Sequence, residues 1–211
     1  MYIPYLEALF DSKLFWEITI TLISILEVGV VFSQAVMVWR NKSGESLSTR
    51  WFLFFVALCT STIIYGIVKR NPIFIINGAL FLSVRCAVLF GLYKFKGFTR
   101  EEWGIAACLL ILLASIVFLP YPEEYYFAFC MASVTSLYLQ PIEMITTKSR
   151  GVVDIKLLAI GVVGNIVWLL YANHMQDPVL ISVLPLFLLG YTITTFCYVF
   201  LPSKKLLEAR T

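Results

Sequence analysis

Three ionisable side chains stand inside otherwise apolar stretches of the sequence: Glu27, Arg85 and Glu143. A charge held in hydrocarbon is costly, so such residues mark a solute pathway, a mutual pair or a coupling site. Glu143 lies close to the polar run around Lys148, and interfacial solvation explains it. Glu27 and Arg85 fall roughly 5 Å apart in depth at the helical rise of about 1.5 Å per residue. They are expected to pair across neighbouring helices as a charge clasp, the alternative being a protonatable site that couples transport to a proton gradient.

A second group could hold an uncharged solute. Asn165 precedes Trp168 by three residues, so one helix presents both on the same face. A tryptophan face can stack on a sugar ring or another flat solute, while Asn165 and Asn77 can donate and accept hydrogen bonds. The plainer readings are an interfacial aromatic for Trp168 and an interhelical hydrogen bond for Asn77. Catalytic and metal chemistry find no constellation. The five cysteines (Cys59, Cys86, Cys108, Cys130, Cys197) are isolated, without metal or redox spacing, and read as small packing residues. His174, the single histidine, has no partner at ligand spacing. No enzyme, cofactor, metal or nucleic-acid partner is expected.

The elements that carry these residues follow from composition. Of 211 residues 60% are hydrophobic and 14% charged, against roughly 25% charged in soluble domains. Too little polar surface exists to cover the chain in water. A bilayer core about 30 Å thick requires roughly 20 apolar residues per helix. Polar, Gly and Pro clusters divide the chain into seven such spans, near 17–39, 51–68, 73–93, 103–120, 125–146, 154–173 and 179–201. The first follows an acidic, proline-containing segment rather than the basic n-region of a secretory signal, and is expected to remain as a span.

The connections are short enough for Lys/Arg asymmetry to set orientation. The first, third and fifth connections and the tail hold Arg40, Lys42, Arg50, Lys94, Lys96, Arg100, Lys148, Arg150, Lys156, Lys204, Lys205 and Arg210; the opposite side holds Lys13, Lys69 and Arg70. Twelve against three puts the C-terminus in the cytoplasm and the N-terminus outside, in a multi-pass protein of the cell membrane. The sequon Asn41-Lys42-Ser43 then faces the cytoplasm, where glycosylation is not expected.

Sliding the chain against itself by 106 residues aligns Gln34 with Gln140, Lys42-Ser43 with Lys148-Ser149, Tyr65 with Tyr171, Pro72 with Pro178 and Leu80-Phe81 with Leu186-Phe187, without a gap. Four spans separate equivalent points, so the two units share one orientation. The expected all-α plan is an N-terminal segment (1–16), a first three-helix repeat (17–93), a linker with the fourth helix (94–124), a second three-helix repeat (125–201) and a cytoplasmic tail (202–211). Parallel repeats with a site at their interface are a mark of secondary transporters.

The runs from Gln34 to Ser43 and from Gln140 to Ser149, followed by Trp168-Leu-Leu-Tyr171 with Asp177-Pro178 and by Tyr65 with Asn71-Pro72, resemble the SWEET and PQ-loop transporters over nearly the whole chain. Ser33 and Leu139 stand where that family has the proline of its Pro-Gln motif, although Pro141 follows Gln140. The resemblance implies a 3+1+3 fold, alternating access, and a gating or hinge motif at Gln34, Gln140, Pro141, Tyr65 and Tyr171. It also implies a sugar pocket lined by a Trp and an Asn from each repeat. Trp168 and Asn77 match; Thr62 and Val183 occupy the partner positions, and Cys59 and Thr62 become pocket walls by equivalence with Asn165 and Trp168. The implied activity is facilitated diffusion of a small polar solute, a mono- or disaccharide first, in a bilayer and as a homo-oligomer. Alternatives are a proton-coupled exporter of an amino acid or other metabolite and a seven-helix cargo receptor that binds without transport.

Overall fold

The computed structural model describes residues 12–42, 48–118, 121–146 and 155–201. Within them the chain forms seven α-helices and no strand: α1 (Lys13–Asn41), α2 (Thr49–Val68), α3 (Pro72–Lys96), α4 (Arg100–Phe118), α5 (Pro122–Thr146), α6 (Ile155–Met175) and α7 (Pro178–Phe200). The Lys148-Ser149 connection, Ser43 and the 202–211 tail lie outside the described residues, as does the side chain of Glu143.

Five of the helices (α1, α2, α3, α6 and α7) are long and apolar enough to cross a bilayer, as a multi-pass membrane protein requires. The sequence predicts seven spans, and the two that fall short are α4, the shortest helix, and α5, the most polar. Arg100, Glu101 and Glu102 open α4. Glu123 and Glu124 open α5, which also carries Ser133, Thr135 and Ser136. Large apolar side chains nonetheless point outward from α4, with Leu110 67% and Ile111 68% exposed. A continuous apolar face of that kind suits lipid rather than water.

Helix starts reach beyond the apolar runs because polar caps satisfy their free N–H groups. Ser12 and Ser48 accept from the backbone of Phe15 and Trp51. Asn71 accepts from Ile73 N and Asp177 from Leu180 N, each at 3.0 Å, with Pro72 and Pro178 filling the next position. Thr99 and Glu102 form a reciprocal box: the Thr99 N–H donates to Glu102 Oε2 at 2.7 Å and the Glu102 N–H to Thr99 Oγ1 at 3.2 Å.

Packing places α3 against α1 and α2, and α7 against α5 and α6. The two triads meet where α1 packs on α6 and α2 on α5, while α4 lies on α2 with a thinner edge against α5. Exchanging α1, α2 and α3 with α5, α6 and α7 maps every contact among those six helices onto another contact. The turns obey the same exchange. Arg70 and Gln176, 106 positions apart, both take the left-handed conformation at φ 53°. Behind them the Asn71 N–H donates to Gly66 O at 2.9 Å and the Asp177 N–H to Ala172 O at 3.0 Å, the six-to-one bond of a Schellman ending. The largest core cluster spans both triads, from Trp16, Ile20, Tyr65 and Phe74 to Tyr126, Tyr171, Leu180 and Phe187.

Candidate functional site: a cavity between the two triads

A cavity of about 160 Å³ lies where the triads face one another. Its walls from α3 are Phe74, Asn77, Gly78, Phe81 and Arg85; its walls from α7 are Leu180, Val183, Leu184, Phe187 and Tyr191. These are the same positions offset by 106, on one face of each helix at spacings of three, four, seven and eleven residues. Helices α2 and α6 add Phe55 and Gly161, Cys59 and Asn165, and Thr62 and Trp168, again pair by pair. Gly78 lets α3 approach α2: a Cβ there would stand 2.7 Å from Ile63 Cγ1 and 3.1 Å from Cys59 O.

Every residue that the sequence singles out for solute contact, Asn77, Trp168, Asn165, Thr62 and Cys59, lies on this wall. Asn77 is 1% exposed, and neither its Nδ2 nor its Oδ1 has a partner among the described residues. A buried amide left unpaired costs about 1–3 kcal/mol, which a cavity occupant with a donor and an acceptor would recover. Asn165 donates to Gly161 O at 2.7 Å. Thr62 is turned to its own helix, donating to Leu58 O at 2.8 Å. Trp168 stands parallel to Phe74, ring centres 6.2 Å apart at 9°.

Glu27 and Arg85 also reach the cavity, yet no ion pair joins them among the described residues. Different elements hold them. The Glu27 carboxylate rests on Gly164 of α6, where an added Cβ would overlap Oε1. The Arg85 guanidinium lies 4.2 Å from the Phe55 ring centre and 5.1 Å from that of Phe81, with Nη1 donating to Cys59 Sγ at 3.4 Å. The expected direct clasp is not made, because aromatic faces and a thiol occupy the guanidinium instead.

At the end of the bundle that carries the α2–α3 and α6–α7 turns, two crossed bonds tie the triads together. The Tyr65 hydroxyl donates to Asp177 Oδ2 at 3.0 Å, and Asn71 Nδ2 donates to the Tyr171 hydroxyl at 3.2 Å. Tyr65 is equivalent to Tyr171 and Asn71 to Asp177, so one bond is the repeat image of the other. Tyr65 also stacks on Tyr126 at 4.3 Å. Towards the opposite end a smaller void, bounded by Gln34, Trp51 and Phe52, shares Phe55, Arg85, Leu157 and Tyr191 with the cavity wall. Of the predicted hinge residues, Gln34 borders that void, Pro141 is buried within α5, Gln140 is half-buried, and Tyr65 and Tyr171 form the crossed bonds.

No family model, curated protein or solved structure matches this chain. Sequence reasoning left out the aromatic walls Phe55, Phe74, Phe81, Tyr126, Phe187 and Tyr191 and the bonding roles of Asn71 and Asp177. The 106-residue offset, applied outward from Asn77 at helical spacing, is the signal that finds the α3 and α7 members.

Proposed function

We propose that the chain is a SWEET-like transporter that moves a small polar solute, a monosaccharide first, by alternating access of two parallel three-helix bundles. The single observation that carries this reading is the unpaired, buried Asn77 amide on a cavity whose walls come in repeat-equivalent pairs from both triads. A site at the interface of two similar bundles becomes accessible from either side when one rocks against the other. In this reading α4 is the linker of a 3+1+3 fold with seven spans. The crossed tyrosine bonds close the outer side, and the void near Gln34 leads inward. Volume favours one ring over a disaccharide, since an apolar cavity of about 150 Å³ holds a molecule as large as benzene.

One observation favours a second reading within the same fold. Glu27 stands on the cavity wall without an ion pair among the described residues, and a carboxylate so placed suits coupling of flux to protons. Uptake of labelled glucose and a panel of amino acids into liposomes, with and without a proton gradient, separates the readings. Gradient-independent glucose flux lost in Asn77→Ala and Trp168→Ala supports facilitated diffusion. Flux that requires the gradient supports coupling, and saturable binding without flux indicates a receptor.

A further inference from the structure

Among the described residues Arg85 brings the only cation to the cavity wall, where a thiol and two aromatic faces touch it and Glu27 acts on it at longer range. A guanidinium carries five donors in a planar fork that matches a carboxylate in two parallel bonds. Phe55 and Phe81 hold the plane from α2 and α3 and leave the fork without a carboxylate in ion-pairing reach among the described residues. A cation at this depth in a membrane protein calls for an anionic partner.

The end of the bundle next to the cavity is charged as well. Lys13, Lys69 and Arg70 converge on one pocket of about 230 Å³ at the α2–α3 and α6–α7 end, beside the crossed tyrosine bonds. Phe74 lines both this vestibule and the central cavity. Lys13 pairs with Glu17 and Lys69 with Glu123, whereas Arg70 is exposed and in no ion pair among the described residues. Asp177 lines the same pocket and Glu17 and Glu123 pair its lysines, so this vestibule is polar and charge-balanced.

On the transporter reading above, we propose that the solute is an acidic monosaccharide, its carboxylate held by Arg85 and its hydroxyls by Asn77, Asn165 and Glu27. One cation in the cavity matches one negative charge, which suits a carboxylate better than a phosphate dianion. Glu27 lies on the same wall and attracts Arg85 at longer range, but it rests on α6 beyond ion-pairing distance, so the guanidinium fork stays open to a second carboxylate while the Glu27 oxygens accept hydrogen bonds from hydroxyl groups.

The test is equilibrium exchange of labelled glucuronate, glucose and glucosamine in liposomes carrying the full chain. These solutes share a ring and differ in charge, and exchange at equilibrium moves no net charge. Wild-type protein is expected to exchange glucuronate about tenfold faster than glucose, and glucosamine slowest. Arg85→Gln should bring the glucuronate-to-glucose ratio close to one, and Arg85→Lys should retain part of the preference. Glucose or glucosamine exchanged as fast as glucuronate by the wild type overturns the proposal, whatever the variants do. An unchanged ratio in a folded Arg85→Gln also overturns it. Exchange of none of the three removes instead the monosaccharide transporter on which it rests.

Discussion

Asn77 separates a site from a packing residue most cleanly. Replacing it with valine, the residue its repeat partner Val183 carries, removes an unpaired buried donor and acceptor. Asn77→Val is expected to raise stability by up to about 3 kcal/mol in detergent thermal unfolding while abolishing solute uptake. A loss of stability would mean that the amide has a structural partner. Gly164→Ala acts beside the cavity: the added Cβ meets only the end of the Glu27 side chain, which can turn away. The variant should displace the carboxylate from α6 and change stability by less than about 1 kcal/mol in the same assay, and a larger loss would mean that Glu27 is fixed where it lies. The polar members of this wall were legible in the sequence because Asn77, Asn165 and Trp168 are unusual in apolar helices. The aromatic members were not, since Phe81 and Phe187 look the same facing lipid, core or cavity until the partner helix is known. Glu27 and Arg85 share the cavity wall and interact without closing to an ion pair among the described residues, because depth along two helices fixes height but not which neighbours the side chains turn to.

At the scale of the helices, the crossed bonds are unequal. Tyr65 donates to a carboxylate and Tyr171 accepts from an amide, and bonds to charged groups are worth about 1.5–3 kcal/mol against about 1 for neutral ones. Tyr65→Phe should therefore open that end more than Tyr171→Phe. Alkylation of the cavity cysteines Cys59 and Cys130 by an impermeant thiol reagent, applied from that end, is expected to accelerate in the same order. Equal rates in both variants and the wild type would mean the bonds close nothing. At the start of α4, burial alone would raise the Glu102 carboxyl, but its hydrogen bond from the Thr99 N–H holds it below the usual carboxylate range. A carboxyl lowered on folding stabilises the fold fully above its unfolded pKa, about 4.3, and that contribution is lost as pH falls through the folded value. Glu102→Ala is expected to lower stability by about 1 kcal/mol at pH 7, the gap to wild type closing in thermal unfolding below about pH 4. Helix count and order were legible from the spacing of polar clusters. Helix ends were displaced by a few residues because caps such as Ser12, Ser48 and Asp177 lie outside the apolar runs that define a span.

For the whole molecule, the 106-residue offset is repeated at three levels: in the residues Tyr65 and Tyr171, in the left-handed turns at Arg70 and Gln176, and in the contacts between triads. In the proposed transporter, two triads so related exchange roles across the cavity, as alternating access requires. That symmetry was legible in the sequence; the cavity it encloses depends on how two sets of spaced aromatics face one another across the triads. The most direct measurement is transport of labelled monosaccharides, glucose and glucuronate, by the purified chain in liposomes, with unlabelled solute placed on the far side of the membrane. Two-sided access to one site predicts saturable uptake that is accelerated by solute on the far side and lost in Asn77→Val. Saturable binding without any uptake, in liposomes where the protein is folded, would contradict it.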